Sequence, residues 1–95
     1  MHLLFTATEA FHIEGRGCIL VPGIPLDNRT PNLKNGARIR LRTPDGREID
    51  TNITSFEFIR YANRPEHINF PISLPEGIAS RDLPAGTEVF LLDET

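Results

Sequence analysis

Three arginines at alternate positions, Arg38, Arg40 and Arg42, have a spacing that could support chemistry. Alternate residues of a β-strand project from one face, so these guanidinium groups could together contact a phosphate backbone. Glu48 and Asp50 follow at the same spacing across a turn. Because cross-strand pairs with these carboxylates would neutralise much of the positive charge, the spacing favours a solvated face of ion pairs over an RNA surface.

The spacing of the other reactive residues argues against metal and nucleotide chemistry. One cysteine and three histidines are scattered without the paired spacing of zinc ligands. They are Cys18, His2, His12 and His67. The only lysine, Lys34, precedes Asn35, so no phosphate loop ends in Lys-Ser/Thr, and no serine lies in a nucleophile elbow. We expect no catalytic residue, no metal, no cofactor and no nucleotide hydrolysis by this chain.

Length and composition limit the classes of protein to which the chain can belong. Its 95 residues predict one domain, 1–95. The net charge of −3 argues against broad, non-specific binding of nucleic acid. A single cysteine excludes an intrachain disulfide, and the apolar run from Leu3 to Phe5 is too short for a signal peptide or a membrane span. These features predict a cytoplasmic protein without a membrane partner.

The secondary-structure elements that would position these residues are predicted to be β-strands. Eight prolines and seven glycines punctuate short segments in which apolar and polar residues alternate with a period of two. No segment shows the 3.6-residue period of a long helix. The six predicted strands are Leu3 to Ile13, Cys18 to Pro22, Ala37 to Thr43, Arg47 to Ile59, Ile68 to Leu74 and Thr87 to Leu92. Six short strands in a chain of this length predict a small barrel.

The clearest local prediction is a hairpin whose turn is Pro44-Asp45-Gly46. Proline presets a turn dihedral, and glycine accepts the left-handed position that closes a three-residue loop. Counting outward pairs Arg42 with Glu48, Arg40 with Asp50 and Arg38 with Asn52 on one face. The opposite face carries Ile39, Leu41, Ile49 and Ile53.

Beyond Ile53 the apolar phase shifts to Phe56 and Phe58, which requires either a bulge near Thr54-Ser55 or a strand buried on both faces. With that register, most of the core is predicted to consist of Phe5, Ile19, Ile39, Leu41, Ile53, Phe56, Val89 and Leu91.

Two surface loops are predicted, Pro25 to Gly36 and Tyr61 to Glu66. One helical turn is predicted before Pro84, with Ser80 as its N-cap and Asp82 near its positive end.

Several segments, in the right order, resemble the second domain of elongation factor Tu and related translational GTPases. Glu9 to Ile19 is similar to the family's acidic residue followed by Phe-x-Ile-x-Gly-Arg-Gly-Thr-Val. Leu33 to Ile39 is similar to Val-Lys-Val-Gly-Asp-x-Val, and Ile53 to Phe58 to Val-Thr-Gly-Val-Glu-Met. Gly77 to Gly86 is similar to Gly-Val-x-Arg-Glu-Asp-Val-x-x-Gly. The resemblance implies a six-stranded, closed, antiparallel, Greek-key-like barrel of translation-protein type.

The resemblance also implies a ligand, because this domain of elongation factor Tu helps to hold the aminoacylated 3′ end of tRNA. Six residues match the positions that contact this end: Glu9, Phe11, Ile13, Glu57, Arg60 and Asn69. The first three match positions that line the aminoacyl cleft, the next two match positions near the terminal adenosine, and the last matches an asparagine that faces the amino acid. Phe11 and Ile13 could equally be core residues, and Glu57 a solvated carboxylate.

The chain departs from the family at several positions. Thr8, before Glu9, replaces an acidic residue, and Cys18 replaces a threonine. Pro71 and Pro75 lie in a strand that normally contains Gly-x-Val-Leu-Leu.

The sequence favours a binding module over an enzyme and leaves two partners open. One is the tRNA acceptor end or a similar small polar ligand. The other is another protein, which would bind the predicted loops or the apolar pair Phe90 and Leu92. The sequence does not decide the oligomeric state.

Overall fold

The structure, a computed structural model, describes residues 1–15, 17–25, 33–57 and 69–92. Within these ranges the chain forms eight β-strands and one short 3-10 helix. The strands are β1 (His2–Thr6), β2 (Glu9–Ile13), β3 (Gly17–Pro25), β4 (Arg38–Arg42), β5 (Glu48–Asn52), β6 (Ser55–Phe56), β7 (Asn69–Ser73) and β8 (Glu88–Leu91). The predicted loop Tyr61 to Glu66 lies outside the described residues, as do residues 26–32 of the longer predicted loop.

The strands form two four-stranded sheets in which every pair is antiparallel. In the first, sheet A, the order is β1-β8-β4-β5, and in the second, sheet B, it is β2-β3-β7-β6. The all-β, antiparallel prediction is therefore confirmed. The described residues contain eight strands where six were predicted, because two predicted strands each divide into a segment of sheet A and a segment of sheet B.

The first division, corner 1, lies at Ala7 and Thr8, between β1 and β2. The Ala7 N–H donates to the Thr87 carbonyl next to β8 (2.7 Å), whereas the Thr8 N–H donates to the Val21 carbonyl of β3 (2.9 Å). Successive residues thus bond to different sheets. Ala7 is 1% exposed, so the small methyl side chain sits where the two sheets meet.

The second division, corner 2, lies at Ile53 and Thr54, between β5 and β6. The Ile53 N–H donates to the Ala37 carbonyl beside β4 (2.9 Å), and the Thr54 N–H donates to the Ser73 carbonyl of β7 (2.9 Å). Ile53 is fully buried. The phase shift between Ile53 and Phe56 is therefore a change of sheet.

Apolar side chains of both sheets form one core. Its buried members are Leu4, Phe5, Ala7, Cys18, Leu20, Ile24, Ile39, Leu41, Ile53, Ile72, Leu74, Leu83 and Val89. Phe56 and Leu91, predicted as core, are half-buried and pack against this cluster. Ile19 is buried but lies outside the cluster, because it alternates with the inward-facing Cys18 and Leu20 along β3.

The predicted β4–β5 hairpin is confirmed in its register. Arg38 lies opposite Asn52, Arg40 opposite Asp50 and Arg42 opposite Glu48. The turn closes with two backbone hydrogen bonds between Thr43 and the residues that follow, from the Gly46 N–H to the Thr43 carbonyl (3.0 Å) and from the Thr43 N–H to the Arg47 carbonyl (2.9 Å). Gly46 takes the expected left-handed conformation, with φ 91°.

The helical turn also forms, as the 3-10 helix Ser80–Asp82, but its predicted cap is wrong. Ala79 is the N-cap residue, with no side-chain hydrogen bond to the helix, and Ser80 is already the first helical residue. A cap needs extended backbone angles, and Ala79 has them (φ −87°, ψ 135°).

Proline within a central strand is accommodated by a bulge in its neighbour. Pro71 lies in β7, between β3 and β6, where a missing N–H normally breaks the ladder. The β3–β7 register shifts between Leu20 and Ile24, so the ladder is already interrupted opposite Pro71. Gly23 lies in this bulge with φ 104°, and an added Cβ would overlap the Phe70 carbonyl and the Pro71 nitrogen.

Gly23→Ala is expected to lower the free energy of unfolding by about 3 kcal/mol or more. Left-handed backbone costs a non-glycine residue roughly 1–3 kcal/mol, and overpacking against the β7 backbone adds about 1–3 kcal/mol. Denaturant unfolding followed by circular dichroism measures the loss. Gly36→Ala is the matched control, since Gly36 also has a left-handed φ (91°) but open space around it. Equal losses in the two variants would contradict the close approach.

A candidate ligand-binding face on sheet B

Three of the six candidate residues lie on the outer face of sheet B. Glu9, Phe11 and Ile13 of β2 pair with Val21, Ile19 and Gly17 of β3. These β3 residues alternate with the inward-facing Cys18 and Leu20, so their partners also face away from the core. Phe11 is 43% exposed and Ile13 is 39% exposed. The core interpretation of these two side chains is therefore wrong.

Glu57 reaches the same face from the end of β6. Ser55 of β6 and Ile19 of β3 both pair with Ser73 of β7, which sets these residues on the outer side. Glu57 follows Ser55 by two residues, and its N–H donates to the Pro71 carbonyl (2.8 Å). The Ser73 hydroxyl donates to Glu57 Oε1 at 2.8 Å. Glu57 is thus a half-buried carboxylate oriented by a buried hydroxyl, which differs from a freely solvated one.

Asn69 begins β7, and its backbone lies opposite Pro25 of β3. Alternation along β7 places Asn69 on the side of Ser73. Arg60 lies outside the described residues. The structure thus brings Glu9, Phe11, Ile13, Glu57 and Asn69 to one face of one sheet.

The side chains on the outer face of sheet B change from apolar at β2 to polar at β7 and at the end of β6. β2 contributes the exposed Phe11 and Ile13, and β6 and β7 contribute Glu57 and Ser73. Between them lies Ile19, which is 7% exposed. Three strand spacings of about 4.8 Å separate β2 from β6, so the face is roughly 14 Å wide. Such a face can accept a ligand with an apolar, flat part at one end and hydroxyl or amino groups at the other.

Ser73 is a residue of this face that was not among the six candidates. Its signal is a single hydroxyl in the otherwise apolar stretch from Ile72 to Leu74. A buried hydroxyl needs a hydrogen-bond partner, and Glu57 is the one that the fold supplies.

The arginine stripe lies on the outer face of sheet A and is paired as predicted. Arg40 makes two hydrogen bonds to Asp50, from Nε to Oδ1 (2.6 Å) and from a terminal nitrogen to Oδ2 (3.0 Å). Arg42 bonds to Glu48 at 3.0 Å and lies over the Phe90 ring, 4.9 Å from its centroid. Phe90 is therefore partly covered by a cation–π contact. The solvated-face interpretation is the one that these contacts support.

Cys18 is fully buried, and burial raises the pKa of its thiol, which disfavours the nucleophilic thiolate. In the described ranges, no three His, Cys, Asp or Glu side chains lie close enough together to hold a metal ion. Nor does this part of the chain contain a helix that is long and apolar enough to cross a membrane.

Neither a known protein family, nor a curated protein, nor a solved structure matches this chain. The relation to the second domain of elongation factor Tu stays a prediction that rests on the residues of the chain itself.

The Arg40–Asp50 pair predicts a pH-dependent contribution to stability. The hydrogen bonds and charge of Arg40 hold the pKa of Asp50 below its ordinary value of 3.8. A carboxyl with a lowered folded pKa stabilises the protein above that ordinary value and loses its contribution as the pH falls through the folded pKa. The unfolding free energy of the wild type should therefore fall towards that of Asp50→Asn between about pH 4 and pH 2.

Chemical denaturation at a series of pH values measures this difference. Arg40→Gln is the matched variant from the other side of the pair and should remove the same pH-dependent increment. A difference between wild type and Asp50→Asn that stays constant from pH 6 to pH 2 would contradict the pairing.

Proposed function

We propose that this chain is a non-catalytic binding module of translation-factor type, whose outer face of sheet B binds an RNA 3′ acceptor end or a similar small polar ligand. The observation that carries the proposal is that Phe11 and the oriented carboxylate of Glu57 lie on the same face of sheet B. Glu9, Ile13 and Asn69 share this face, and Arg60 belongs to the proposed site through the resemblance.

The strand order supports a closed barrel as the fold of this module. If each run that passes through a corner is counted as one strand, the eight described strands become six. Their order is then β1/β2, β8, β4, β5/β6, β7, β3 and back to β1/β2. Each pair of neighbours in this cycle is antiparallel, and the two corners join the sheets on opposite sides. This cycle supports the six-stranded arrangement that the resemblance implies.

The chemistry of the outer face suits a terminal nucleoside. The exposed ring of Phe11 can stack on a base, and stacking needs no basic surface. The carboxylate of Glu57 can accept hydrogen bonds from ribose hydroxyls or a base amino group, and the amide of Asn69 can both donate and accept. With few phosphate contacts, binding should show a shallow salt dependence and a dissociation constant of about 10⁻⁴ M.

The Ser73–Glu57 contact also supports binding over catalysis. A hydroxyl beside a carboxylate could be an activated nucleophile. Ser73 is only 2% exposed, however, so a substrate cannot reach its oxygen. Its hydrogen bond at 2.8 Å instead fixes the position of Glu57.

A protein-interaction role is the second candidate, favoured by the exposed apolar side chains. Met1 and Leu3 are 54% and 46% exposed, and Phe11 and Ile13 add a second exposed pair. The apolar pair singled out in the sequence, Phe90 and Leu92, is half-buried, which makes it the weaker surface.

Phe11→Ala should weaken binding of an aminoacylated acceptor minihelix by about five-fold or more, because one stacked base contributes roughly 1–3 kcal/mol. Glu57→Gln should weaken binding by at least a similar factor, because a hydrogen bond to a charged group contributes roughly 1.5–3 kcal/mol. An NMR titration measures the dissociation constant, and the shifts should centre on Glu9, Phe11, Glu57 and Asn69. Leu3→Ala and Glu88→Gln, on sheet A, are the matched controls and should bind as the wild type does. A sheet B face whose signals do not move with aminoacylated or deacylated minihelix would overturn the proposal.

A further inference from the structure

A groove lies between β2 and the segment that leads into the 3-10 helix. It has a volume of about 480 Å³ and is lined by His12 of β2 and by residues 76–81. Ligand pockets in proteins have volumes of roughly 300–1,000 Å³. The helix Ser80–Asp82 lies against β2, so the two elements form opposite walls of this groove.

The wall formed by residues 76–81 is held in place by contacts within the chain. Ile78 packs against the core cluster, and Leu83, directly after the helix, is 2% exposed. The Ile78 N–H donates to the Pro75 carbonyl (3.2 Å), and the Asp82 N–H donates to the Ala79 carbonyl (3.0 Å). These two turns fix the backbone that carries the side chains of the groove.

The position of Glu76 depends on Gly17 of β3. Gly17 has a left-handed φ of 93°, and a Cβ added there would lie 2.6 Å from the Leu74 carbonyl oxygen and 3.3 Å from the Glu76 nitrogen. The backbone at Glu76 therefore packs closely against β3, at the residue that pairs with Ile13 of β2. This close approach sets Glu76 beside the end of β2.

The opposite wall is formed by His12. It pairs with Cys18, whose side chain belongs to the core, so His12 projects to the inner side of sheet B. Phe11, its neighbour in β2, projects to the outer face. The groove thus lies on the other side of sheet B from the proposed RNA site and shares no residue with it.

The polar side chains of the groove bring opposite charges together without pairing them. Among the residues that the structure describes, none makes a hydrogen bond or an ion pair with the side chains of His12, Glu76, Ser80 or Arg81. The arginines of the β4–β5 hairpin, by contrast, are each paired with a carboxylate. A carboxylate and a guanidinium group that line one groove and do not neutralise each other are complementary to a ligand that carries both charges.

We propose that this groove binds a small zwitterion, in which a short hydrocarbon chain joins an ammonium group to a carboxylate. Glu76 would accept hydrogen bonds from the ammonium group, and Arg81 would donate hydrogen bonds to the carboxylate. The hydroxyl of Ser80 and the imidazole of His12 can add polar contacts, and Ile78 offers apolar surface to the hydrocarbon. A ligand with a single charge leaves either Glu76 or Arg81 unused and should bind more weakly.

The test is an NMR titration of the full chain with glycine, β-alanine, γ-aminobutyrate and ε-aminohexanoate, in which the two charges lie progressively further apart. At least one of them should bind with a dissociation constant on the order of 10⁻³ M, as expected for a ligand of few atoms. Shifts should centre on His12 and residues 76–81. The two analogues of the tightest binder that lack its ammonium or its carboxylate should bind at least three-fold more weakly.

Two variants separate direct contact from structural damage. Glu76→Gln should weaken zwitterion binding at least three-fold but should not weaken binding of the analogue that has only the carboxylate. Arg81→Gln should weaken zwitterion binding equally but should not weaken binding of the analogue that has only the ammonium group. Glu14→Gln and Arg38→Gln are the matched controls, because they remove the same charges from exposed positions outside the groove.

Three results would overturn the proposal: saturable binding of none of the four zwitterions, equal affinity for a zwitterion and its single-charge analogues, or wild-type affinity in Glu76→Gln and Arg81→Gln. The minihelix titration of sheet B should be unchanged in both groove variants. Failure of the minihelix to bind would therefore leave this proposal intact, and failure of the zwitterions to bind would leave the proposed RNA site intact.

Discussion

The rest of the structure depends on two places where the chain leaves one sheet and enters the other. At Ala7–Thr8 and at Ile53–Thr54, successive N–H groups donate to carbonyls of different sheets. Sheets A and B share one apolar core because these two corners connect them at both sides. Both corners bury their first residue, so apolar burial and backbone hydrogen bonding hold the bend together.

The outer face of sheet B follows from this geometry. Corner 1 turns β2 so that Glu9, Phe11 and Ile13 face solvent, and corner 2 brings Glu57 beside Ser73. The bulge at Gly23 has a related role, since it lets a strand that contains Pro71 lie between β3 and β6. A carboxylate held by a buried hydroxyl and a flat apolar surface are thus positioned by backbone pairing.

The charged side chains on the outer faces of sheets A and B differ in their contacts. On sheet A, arginines and carboxylates neutralise each other across the hairpin, and Arg42 also covers Phe90. On sheet B, exposed apolar side chains of β2 share the outer face with the oriented carboxylate of Glu57. The proposed ligand site therefore lies on sheet B, where exposed apolar side chains and an oriented carboxylate share one face.

The sequence by itself determined the features that depend on neighbours along the chain. The Pro44-Asp45-Gly46 turn and the period of two specify the hairpin register, because a slip by one residue would expose Ile39 and Leu41. Only the tertiary structure decided which two predicted strands divide between the sheets. A corner between sheets and a bulge within one sheet both shift the apolar residues to the other face of the strand, so the sequence pattern does not distinguish them. The tertiary structure also decided that Ile19 and Ser73 are buried outside the core and that Phe11 is exposed. Those outcomes depend on which strand lies alongside, and period-two alternation does not specify that neighbour.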